Sequence, residues 1–146
     1  MSRRTEIKKL LSNPPMNEEV IVAWCVRAFR ANRFIALNDG SSFNNVQIVV
    51  DFEQFPEELL KRIGFHACIQ VKGQVVESQG AGQTFEIVAQ EIEVLGESNP
   101  EEYALQPKKQ TKEFLREKAH LRMRTNTFSA VFRIRHAVAY AIHKYF

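Results

Sequence analysis

The stretch that decides the fold is RAFRANRFIALNDGSSFNNVQIVVD, residues 27–51. Two runs rich in apolar and β-branched residues, Phe34–Leu37 and Val46–Phe52, flank a segment of Asn, Asp, Gly and Ser that is typical of a turn. Successive side chains of a strand point to opposite faces, so the alternation in the second run assigns one face to a core. This face carries Val46, Ile48, Val50 and Phe52. The stretch therefore predicts an antiparallel hairpin.

The outward face of this hairpin combines an aromatic ring, an amide and positive charge. Phe34 and Gln47 lie on it, and Arg27, Arg30 and Arg33 lead into its first strand. An aromatic platform, an amide and guanidinium charge are the features that bind an unstacked RNA base. The pattern alone leaves simpler interpretations open: Phe34 as a core residue, Gln47 as a solvated amide, and the arginines as a solvated charged run.

Composition describes a folded domain whose charge is unevenly distributed. The 146 residues are 45% apolar and 25% charged, with no apolar run of membrane-spanning length and no secretory signal at the N-terminus. Residues 1–106 hold 10 basic and 15 acidic side chains, whereas residues 107–146 hold 10 basic and 2 acidic ones. The last quarter is a candidate phosphate-facing or acid-facing surface, and if the first part binds RNA it must do so through a local patch.

The two cysteines, Cys25 and Cys68, have no metal-ligand spacing relative to the four histidines. We expect them to be reduced thiols of a cytoplasmic protein. His136 and His143 lie seven residues apart and are expected on a helix surface, so no metal site is predicted.

The strand patterns along the chain predict five strands and one helix in a fixed order. The strands are Glu19–Arg30, Phe34–Leu37, Val46–Phe52, Ala67–Val76 and Gln83–Leu95, and a helix at Phe55–Ile63 follows the third strand. The inward parity switches near Val22–Val26 and near Gln90–Glu91, which predicts a β-bulge at each place. A mainly β chain with a helix between its third and fourth strands is the arrangement of a five-stranded OB-fold barrel, whose second and third strands bind oligonucleotides.

Segments of other character flank the predicted barrel. Residues 3–11 form a short charged segment with room for one helical turn, and helices are predicted at Glu113–Ala119 and from about Thr127 to the last residue. The last helix carries an apolar stripe and no stop signal, so we expect a truncated chain. The expected organisation is an N-terminal extension (1–16), an OB-fold domain (17–96), a hinge or linker (97–112), and the start of a second domain (113–146).

Seven short stretches occur in an order that is known from one family. They are Phe34–Ser41, Asn45–Asp51, Val76–Gln83, Glu93–Glu97, Glu113–Glu117, Ala119–Arg122 and Arg124–Phe128. Together they resemble the N-terminal part of bacterial-type asparaginyl-tRNA synthetases, class II enzymes of the aspartate, asparagine and lysine subgroup. The final helix, Arg133–Phe146, resembles the beginning of class II motif 1, which packs at the dimer interface, so the chain would end inside that helix of the catalytic domain.

The resemblance implies that the barrel binds a tRNA anticodon. By motif match, Phe34 would stack on an anticodon base, Gln47 would hydrogen-bond a base edge, and Arg30 would contact a base or a phosphate. Arg27 and Gln83 complete the expected anticodon-binding set. No catalytic residue is carried over, because motifs 2 and 3 of the family lie beyond residue 146.

The resemblance also implies the role of a full-length parent. That parent would be a cytoplasmic homodimer, joined through the C-terminal helix, that attaches asparagine to its tRNA with ATP and Mg²⁺. The 146 residues alone are expected to be inactive and to bind neither ATP nor Mg²⁺ nor a membrane. Two alternatives remain: a stand-alone OB-fold module that binds single-stranded nucleic acid without catalysis, or a dimerisation or regulatory fragment with no role in RNA binding.

The sequence departs from the family at two neighbouring positions in the first strand. Where the family has Gly-Trp, this chain has Trp24-Cys25. Glycine would ease a sharp bend in a strand, so Trp24 is expected to alter the local packing.

Overall fold

The computed structural model describes residues 4–80, 82–99 and 101–146. The start of the expected N-terminal extension (residues 1–3), Ala81 of the loop before the fifth strand, and Pro100 of the expected linker lie outside the described residues. The chain divides into two compact units, one ending at Glu102 and the other formed by Tyr103–Phe146. This division falls within the stretch expected to be a linker, and the other expected boundaries stay predictions.

The first unit is built on a closed sheet of five strands. They are β1 (Glu19–Arg30), β2 (Phe34–Asn38), β3 (Val46–Val49), β4 (Cys68–Glu77) and β5 (Phe85–Gly96). Their order around the barrel is β1-β2-β3-β5-β4, with β4 closing onto β1. β3 and β5 pair in parallel, and the other neighbours pair antiparallel. A short helix, α2 (Glu57–Lys61), lies between β3 and β4, so the predicted OB-fold is confirmed.

In these strands, every second side chain points into the barrel, and these inward side chains are apolar. Ile35 and Leu37 of β2, and Val46 and Ile48 of β3, are buried, while their neighbours along each strand are partly exposed. β4 shows the same alternation along nearly its whole length. This is the period of two that the sequence predicted, and burial of these side chains is the main force that closes the sheet.

Shifts in strand register bend the longest strands. In the β4–β5 pair, Lys72 faces Glu91 and Gly73 faces Ala89, which leaves Gln90 as an extra residue and confirms the bulge predicted near Gln90–Glu91. In the β1–β2 pair the register shifts between Val26 and Ala28, so the extra residue is Arg27. This bulge lies one residue beyond the segment in which the sequence placed it. Bulges of this kind increase twist and allow one strand to serve both sides of a closed barrel.

The third strand is shorter than predicted. β3 ends at Val49, and the Phe52 side chain is 59% exposed instead of lying on the core face. The Asp51 carboxylate accepts a hydrogen bond from the Glu53 N–H at 3.1 Å, and the Gln54 N–H donates to the Asp51 carbonyl at 3.0 Å. Asp51 therefore begins a turn, which is the local alternative that aspartate offers to a ladder of strand hydrogen bonds. The prediction for Phe52 was wrong for this reason.

The N-terminal segment contributes more than the expected turn of charged helix. Helix α1 (Ile7–Ser12) places Ile7 and Leu10 in the core of the first unit, with 0% and 1% of their surface exposed. The Thr5 N–H donates to the Ile21 carbonyl at 2.8 Å, which ties the start of the segment to β1. Ile7 and Leu10 are three residues apart, so one face of a short helix covers the barrel while its lysines remain outside.

The second unit is helical. It contains α3 (Lys112–Glu117), a 3₁₀ turn at Arg122–Arg124, and α4 (Asn126–Tyr145), close to the predicted helices. Thr111 caps α3, because its Oγ1 accepts a hydrogen bond from the Phe114 N–H at 3.2 Å. Within the residues that the structure describes, no helix combines the length and apolar character needed to cross a membrane.

Trp24 occupies a backbone conformation that favours glycine. Its φ is +137°, and its ring is 51% exposed, with the Arg4 guanidinium 5.9 Å from the ring centroid. A bulky side chain at positive φ strains the backbone. The departure from Gly-Trp therefore falls where β1 needs the freedom of glycine.

We predict that Trp24→Gly is more stable to unfolding by denaturant than Trp24→Ala, by about 1–2 kcal/mol. Both variants lose the ring and its contact with Arg4, but glycine alone relieves the strain. In an ordinary strand position glycine is less stable than alanine by about 0.5–1 kcal/mol. Ala23→Gly, at the preceding residue of β1, is the matched control and should lower stability. Equal or greater stability of Trp24→Ala would contradict the strain at this position.

Candidate nucleic-acid interface

A tight turn positions the arginines beside the first strand of the hairpin. Ala31 and Asn32 have φ of +52° and +49°, and the Arg33 N–H donates to the Arg30 carbonyl at 3.0 Å. Two central residues at positive φ define a type I′ turn, whose twist matches the strands that it joins. The turn connects β1 to β2 and sets Arg30 directly opposite Phe34. The sequence analysis missed this turn, although Asn32 is a residue that tolerates positive φ.

The strand register brings outward side chains of β1, β2 and β3 next to one another. Ala36 faces Gln47 across the β2–β3 pair, and Phe34 faces Val49. On the other side of β2, Ala28 faces Ala36. The small side chains of Ala28 and Ala36 leave an open floor between the larger side chains of Phe34 and Gln47.

These residues line an open groove of about 440 Å³. The described residues that line it are Ala28, Arg30, Arg33, Phe34, Ala36, Gln47, Val49, Gln79, Gly80 and Glu86. Three of the five site residues expected from the sequence thus lie together: Arg30, Phe34 and Gln47. Arg27 is the extra residue of the β1 bulge and is not among the described lining residues of this groove. The Arg33 guanidinium lies 5.5 Å from the centroid of the Phe34 ring, a cation–π distance.

Glu86 organises the polar end of the groove. Its Oε2 accepts hydrogen bonds from Gln47 Nε2 at 3.3 Å, Ser78 Oγ at 3.2 Å and Gln83 Nε2 at 3.3 Å. An ionised carboxylate accepts hydrogen bonds and cannot donate, so it fixes the orientation of both amides. Sequence reasoning did not single out Glu86. The signal was present, because Glu86 lies between the inward residues Phe85 and Ile87 and so had to face outward.

A second groove adjoins the first on the side of the loops. It has a volume of about 760 Å³, and Gln47 lines both grooves. Its other described lining residues are Leu11, Asn44, Asn45, Val46, Gly82, Gln83, Thr84 and Phe85. The predicted site residue Gln83 therefore belongs to this second groove and reaches the first through its hydrogen bond to Glu86. The two grooves together give a surface on which more than one nucleotide can lie.

The loop between β2 and β3 is held by its own polar side chains. Asn38 Nδ2 donates to the Ser42 and Asn44 carbonyls at 3.2 and 3.1 Å. Asp39 joins the loop to α1: its Oδ2 accepts from the Ile7 N–H at 3.0 Å, and its Oδ1 accepts from the Ser41 N–H at 2.9 Å. Partial burial raises the pKa of Asp39, but these hydrogen bonds, that from the Ser41 hydroxyl and the charge of Arg4 outweigh it and hold the pKa below its ordinary value.

The groove offers stacking and hydrogen bonding. Within the described residues, the His, Cys, Asp and Glu side chains form no group of three or more that would hold a metal ion. The groove instead presents an aromatic face, a fixed amide, a carboxylate and two guanidinium groups. These are the groups that bind unstacked bases together with their phosphates.

Comparison with known protein families defines the class of this protein. A family model described as "OB-fold nucleic acid binding domain" matches residues 20–95, which is more than half of the chain. The chain belongs to this family of OB-fold nucleic-acid-binding domains. The matched residues include all five strands, from Val20 of β1 to Leu95 of β5.

Individual relatives give a narrower comparison. The asparagine–tRNA ligase of Cytophaga hutchinsonii is 50% identical over 149 residues, which cover 99% of this chain and 32% of the relative. That of Phocaeicola vulgatus is 56% identical over 146 residues, covering 98% of this chain and 31% of the relative. The resemblance to asparaginyl-tRNA synthetases is thereby confirmed, and the chain spans about a third of the length of these relatives.

A solved structure shows the same fold at lower identity. The asparaginyl-tRNA synthetase of Pyrococcus horikoshii, solved in complex with asparaginyl-adenylate, has a TM-score of 0.82 and 21% sequence identity. The alignment covers 99% of this chain and 34% of that chain. The backbone of this region is therefore shared with that synthetase although most side chains differ.

The carboxylate of Asp39 predicts an acid-sensitive attachment of α1. A folded-state pKa below the ordinary value near 3.8 means that Asp39 stabilises the fold above that pH, and that this contribution is lost as the pH falls through the folded pKa. We therefore expect Asp39→Asn to lower the melting temperature at pH 7, and the difference from the wild type to shrink as the pH falls below about 4. Thermal unfolding monitored by circular dichroism between pH 7 and acid measures this. Glu53→Gln, at an exposed carboxylate outside this network, is the control, and a pH-independent effect of Asp39→Asn would contradict the assignment.

Proposed function

We propose that this chain is the anticodon-binding part of an asparagine–tRNA ligase. The observation that carries the proposal is the groove in which Arg30, Phe34 and Gln47 meet on the outward face of β1, β2 and β3. The second and third strands of an OB-fold are the usual place for oligonucleotide binding. The identity of 50–56% with asparagine–tRNA ligases supports the choice of tRNA as the partner.

The Phe34 ring provides the stacking platform in this proposal. It is half-buried and lines the groove, and the Arg33 guanidinium lies over the ring at a cation–π distance, so a base would stack on the part of the ring that Arg33 does not cover. Because Ala28 and Ala36 form a low floor next to the ring, a base can lie flat against Phe34 without displacing a large side chain. Stacking on an aromatic side chain supplies affinity that depends little on the identity of the base.

Gln47 provides the selectivity. Its Nε2 donates to the Glu86 carboxylate, so its carbonyl oxygen is directed away from Glu86 and can accept an N–H from a base edge. An amide held in one orientation discriminates between bases that present a donor and bases that present an acceptor, because the wrong base leaves a polar group unpaired. Gln83, held by the same carboxylate, would act on a neighbouring anticodon position.

The catalytic role belongs to the rest of such a ligase. In this proposal the full-length protein joins asparagine to its tRNA in the cytoplasm with ATP and Mg²⁺, which act in the two thirds of the relatives' length that this chain does not cover. Among the described residues, the His, Cys, Asp and Glu side chains form no group of three or more that could hold a metal ion, and the expected absence of Mg²⁺ from these 146 residues stays a prediction. The expected inactivity of the 146 residues alone stays a prediction.

The C-terminal helix supports a second element of the proposal, a homodimer. One stripe of α4 is apolar and exposed: Val131, Ile134, Val138, Ile142 and Tyr145. Arg133 and Arg135 interrupt the sequence between these residues, and the helix is not apolar enough to cross a membrane. An exposed apolar stripe of this kind marks a surface that is covered by another protein element. We propose that in the full-length ligase this element is the same helix of a second copy.

We predict that Phe34→Ala weakens the binding of asparagine tRNA by about 5- to 150-fold, the equivalent of about 1–3 kcal/mol of base stacking. Gln47→Leu should lower the preference for the correct anticodon by about 2- to 10-fold, since it removes one hydrogen bond. Gln70→Leu alters an outward amide on β4 that is not among the described lining residues of either groove, and it serves as the control. Fluorescence anisotropy with asparagine tRNA and its anticodon variants measures both effects.

The same titrations separate the proposal from its alternatives. Loss of affinity for altered anticodons supports an anticodon-binding domain. Equal affinity for all single-stranded RNAs would identify a general nucleic-acid-binding module. Absence of binding by the wild-type chain would leave a dimerisation or regulatory role.

Arg30 and Arg27 give a matched test of phosphate contact. Arg30 lines the groove, whereas Arg27 is the extra residue of the β1 bulge. If Arg30 neutralises one phosphate, Arg30→Ala should reduce the slope of log K against log salt concentration by about 0.7. Arg27→Ala should change the slope less. An unchanged slope in Arg30→Ala would contradict the phosphate contact, and equal changes would place Arg27 in the contact set as the sequence predicted.

A further inference from the structure

We propose that Cys25 and Cys68 form a peroxide-sensitive pair of thiols that closes to a disulfide across the β1–β4 seam of the barrel. Cys25 on β1 and Cys68 on β4 are direct partners in the strand register. Both side chains are partly exposed, and neither belongs to the groove proposed for RNA. Directly opposite residues of an antiparallel pair point to the same face of the sheet, so the two sulfurs share one side of the barrel wall.

The hydrogen-bond pattern identifies the type of pair. The Val75 N–H donates to the Glu18 carbonyl, and the Val26 N–H donates to the Ala67 carbonyl, both at 2.9 Å. Hydrogen-bonded and non-hydrogen-bonded pairs alternate along an antiparallel ladder, so Cys25 and Cys68, next to the Val26–Ala67 pair, are a non-hydrogen-bonded pair. In such a pair the Cα atoms lie about 4.5 Å apart, within the range of about 4.4–6.8 Å that a disulfide spans.

His66 supplies a base beside one of the two thiols. Its Nδ1 lies 3.3 Å from Cys25 Sγ, and the side chain is 7% exposed. The backbone fixes this position, because the His66 N–H donates to the Val26 carbonyl at 2.8 Å, and the Phe65 ring packs against the imidazole at 4.0 Å between centroids. An imidazole in this position can take the thiol proton, and the thiolate is the form of cysteine that reacts with peroxides.

The chemistry requires one peroxide and no other reagent. The Cys25 proton passes to His66, and the thiolate attacks hydrogen peroxide. A sulfur–oxygen bond forms, the oxygen–oxygen bond breaks, and the leaving hydroxide takes a proton to become water. The Cys68 sulfur then attacks the sulfenic sulfur of Cys25, and a second water leaves with the Cys68 proton. Two thiols are oxidised to one disulfide, and the peroxide is reduced to two waters.

The disulfide would link β1 to β4 covalently and enclose the hairpin proposed to bind RNA within the closed loop of chain. The segment between Cys25 and Cys68 contains β2, β3 and α2. A link across a loop of this length restricts the unfolded chain, so the oxidised protein should melt at a higher temperature than the reduced protein. Dithiothreitol should return the melting temperature to the reduced value.

The test is oxidation of the 146-residue chain with hydrogen peroxide, followed by intact mass spectrometry and peptide mapping without reductant. We expect the mass to fall by that of two hydrogen atoms. Peptide mapping should then show the peptide with Cys25 linked by a disulfide to the peptide with Cys68. A gain of oxygen without a link, a link between two chains, or no reaction would each overturn the proposal. In Cys68→Ser, dimedone should label Cys25 as its sulfenic acid, whereas Cys25→Ser should react with peroxide at least tenfold more slowly than wild type.

The role of His66 has its own readout. His66 has a φ of +68°, so His66→Asn is the suitable variant, because asparagine tolerates this backbone conformation and lacks the basic nitrogen. Near pH 7 the Cys25–Cys68 disulfide should form at least fivefold more slowly in the His66→Asn variant than in the wild type. The two rates should converge above about pH 9, where the thiol ionises without help. Equal rates at neutral pH, or a difference that persists at high pH, would exclude His66 as the base.

Discussion

The first unit depends on the bend of β1. Residues Glu19–Cys25 of this strand pair with β4, and residues Cys25–Arg30 pair with β2, so one strand closes both sides of the barrel. A flat strand cannot do this, because neighbouring strands of a closed barrel must tilt and twist. Trp24 at positive φ and the extra residue Arg27 supply the bend. The bend costs backbone strain at Trp24, and the burial of the inward side chains of five strands outweighs that strain.

The functional surface follows from this bend. Beyond Arg27, β1 runs antiparallel to β2 and ends in the type I′ turn that sets Arg30 opposite Phe34. Ala28 and Ala36 then lie next to each other, and their small size opens the floor of the groove. On the other half of the strand the same bend brings Cys25 opposite Cys68 and beside His66. The bend at Trp24 and Arg27 thus positions both the proposed RNA contact and the proposed thiol pair.

The sequence predicted most of the features that depend on periodicity. Alternation identified the inward residues Val46 and Ile48, and the parity switch at Gln90 identified the β5 bulge, because both are properties of neighbouring residues. The sequence pattern gave a wrong prediction at Phe52, because the Asp51 side chain begins a turn there. It also did not reveal the burial of Ile7 and Leu10, which depends on a barrel that is distant in sequence. Glu86 was missed for the same reason, since its importance comes from the side chains of β3 and the neighbouring loop. The strand pattern placed Phe34 and Gln47 on an outward face beside arginines, the family resemblance supplied their expected roles and that of Arg30, and the register brings the three into one groove.

The charges of the groove indicate how selectivity and affinity are divided. Residues 1–106 hold 10 basic and 15 acidic side chains, so a strand of RNA meets no general attraction from this part of the chain. In the proposed RNA complex, Arg30 and Arg33 would attract phosphate, while Glu86, which lines the same groove and accepts hydrogen bonds from Gln47 and Gln83, would repel it. A phosphate backbone is therefore favoured in one position, and bases are favoured at the end where donors and acceptors are fixed. Weak general attraction combined with a fixed local pattern agrees with the proposed function, in which the domain would distinguish one tRNA from many of equal charge.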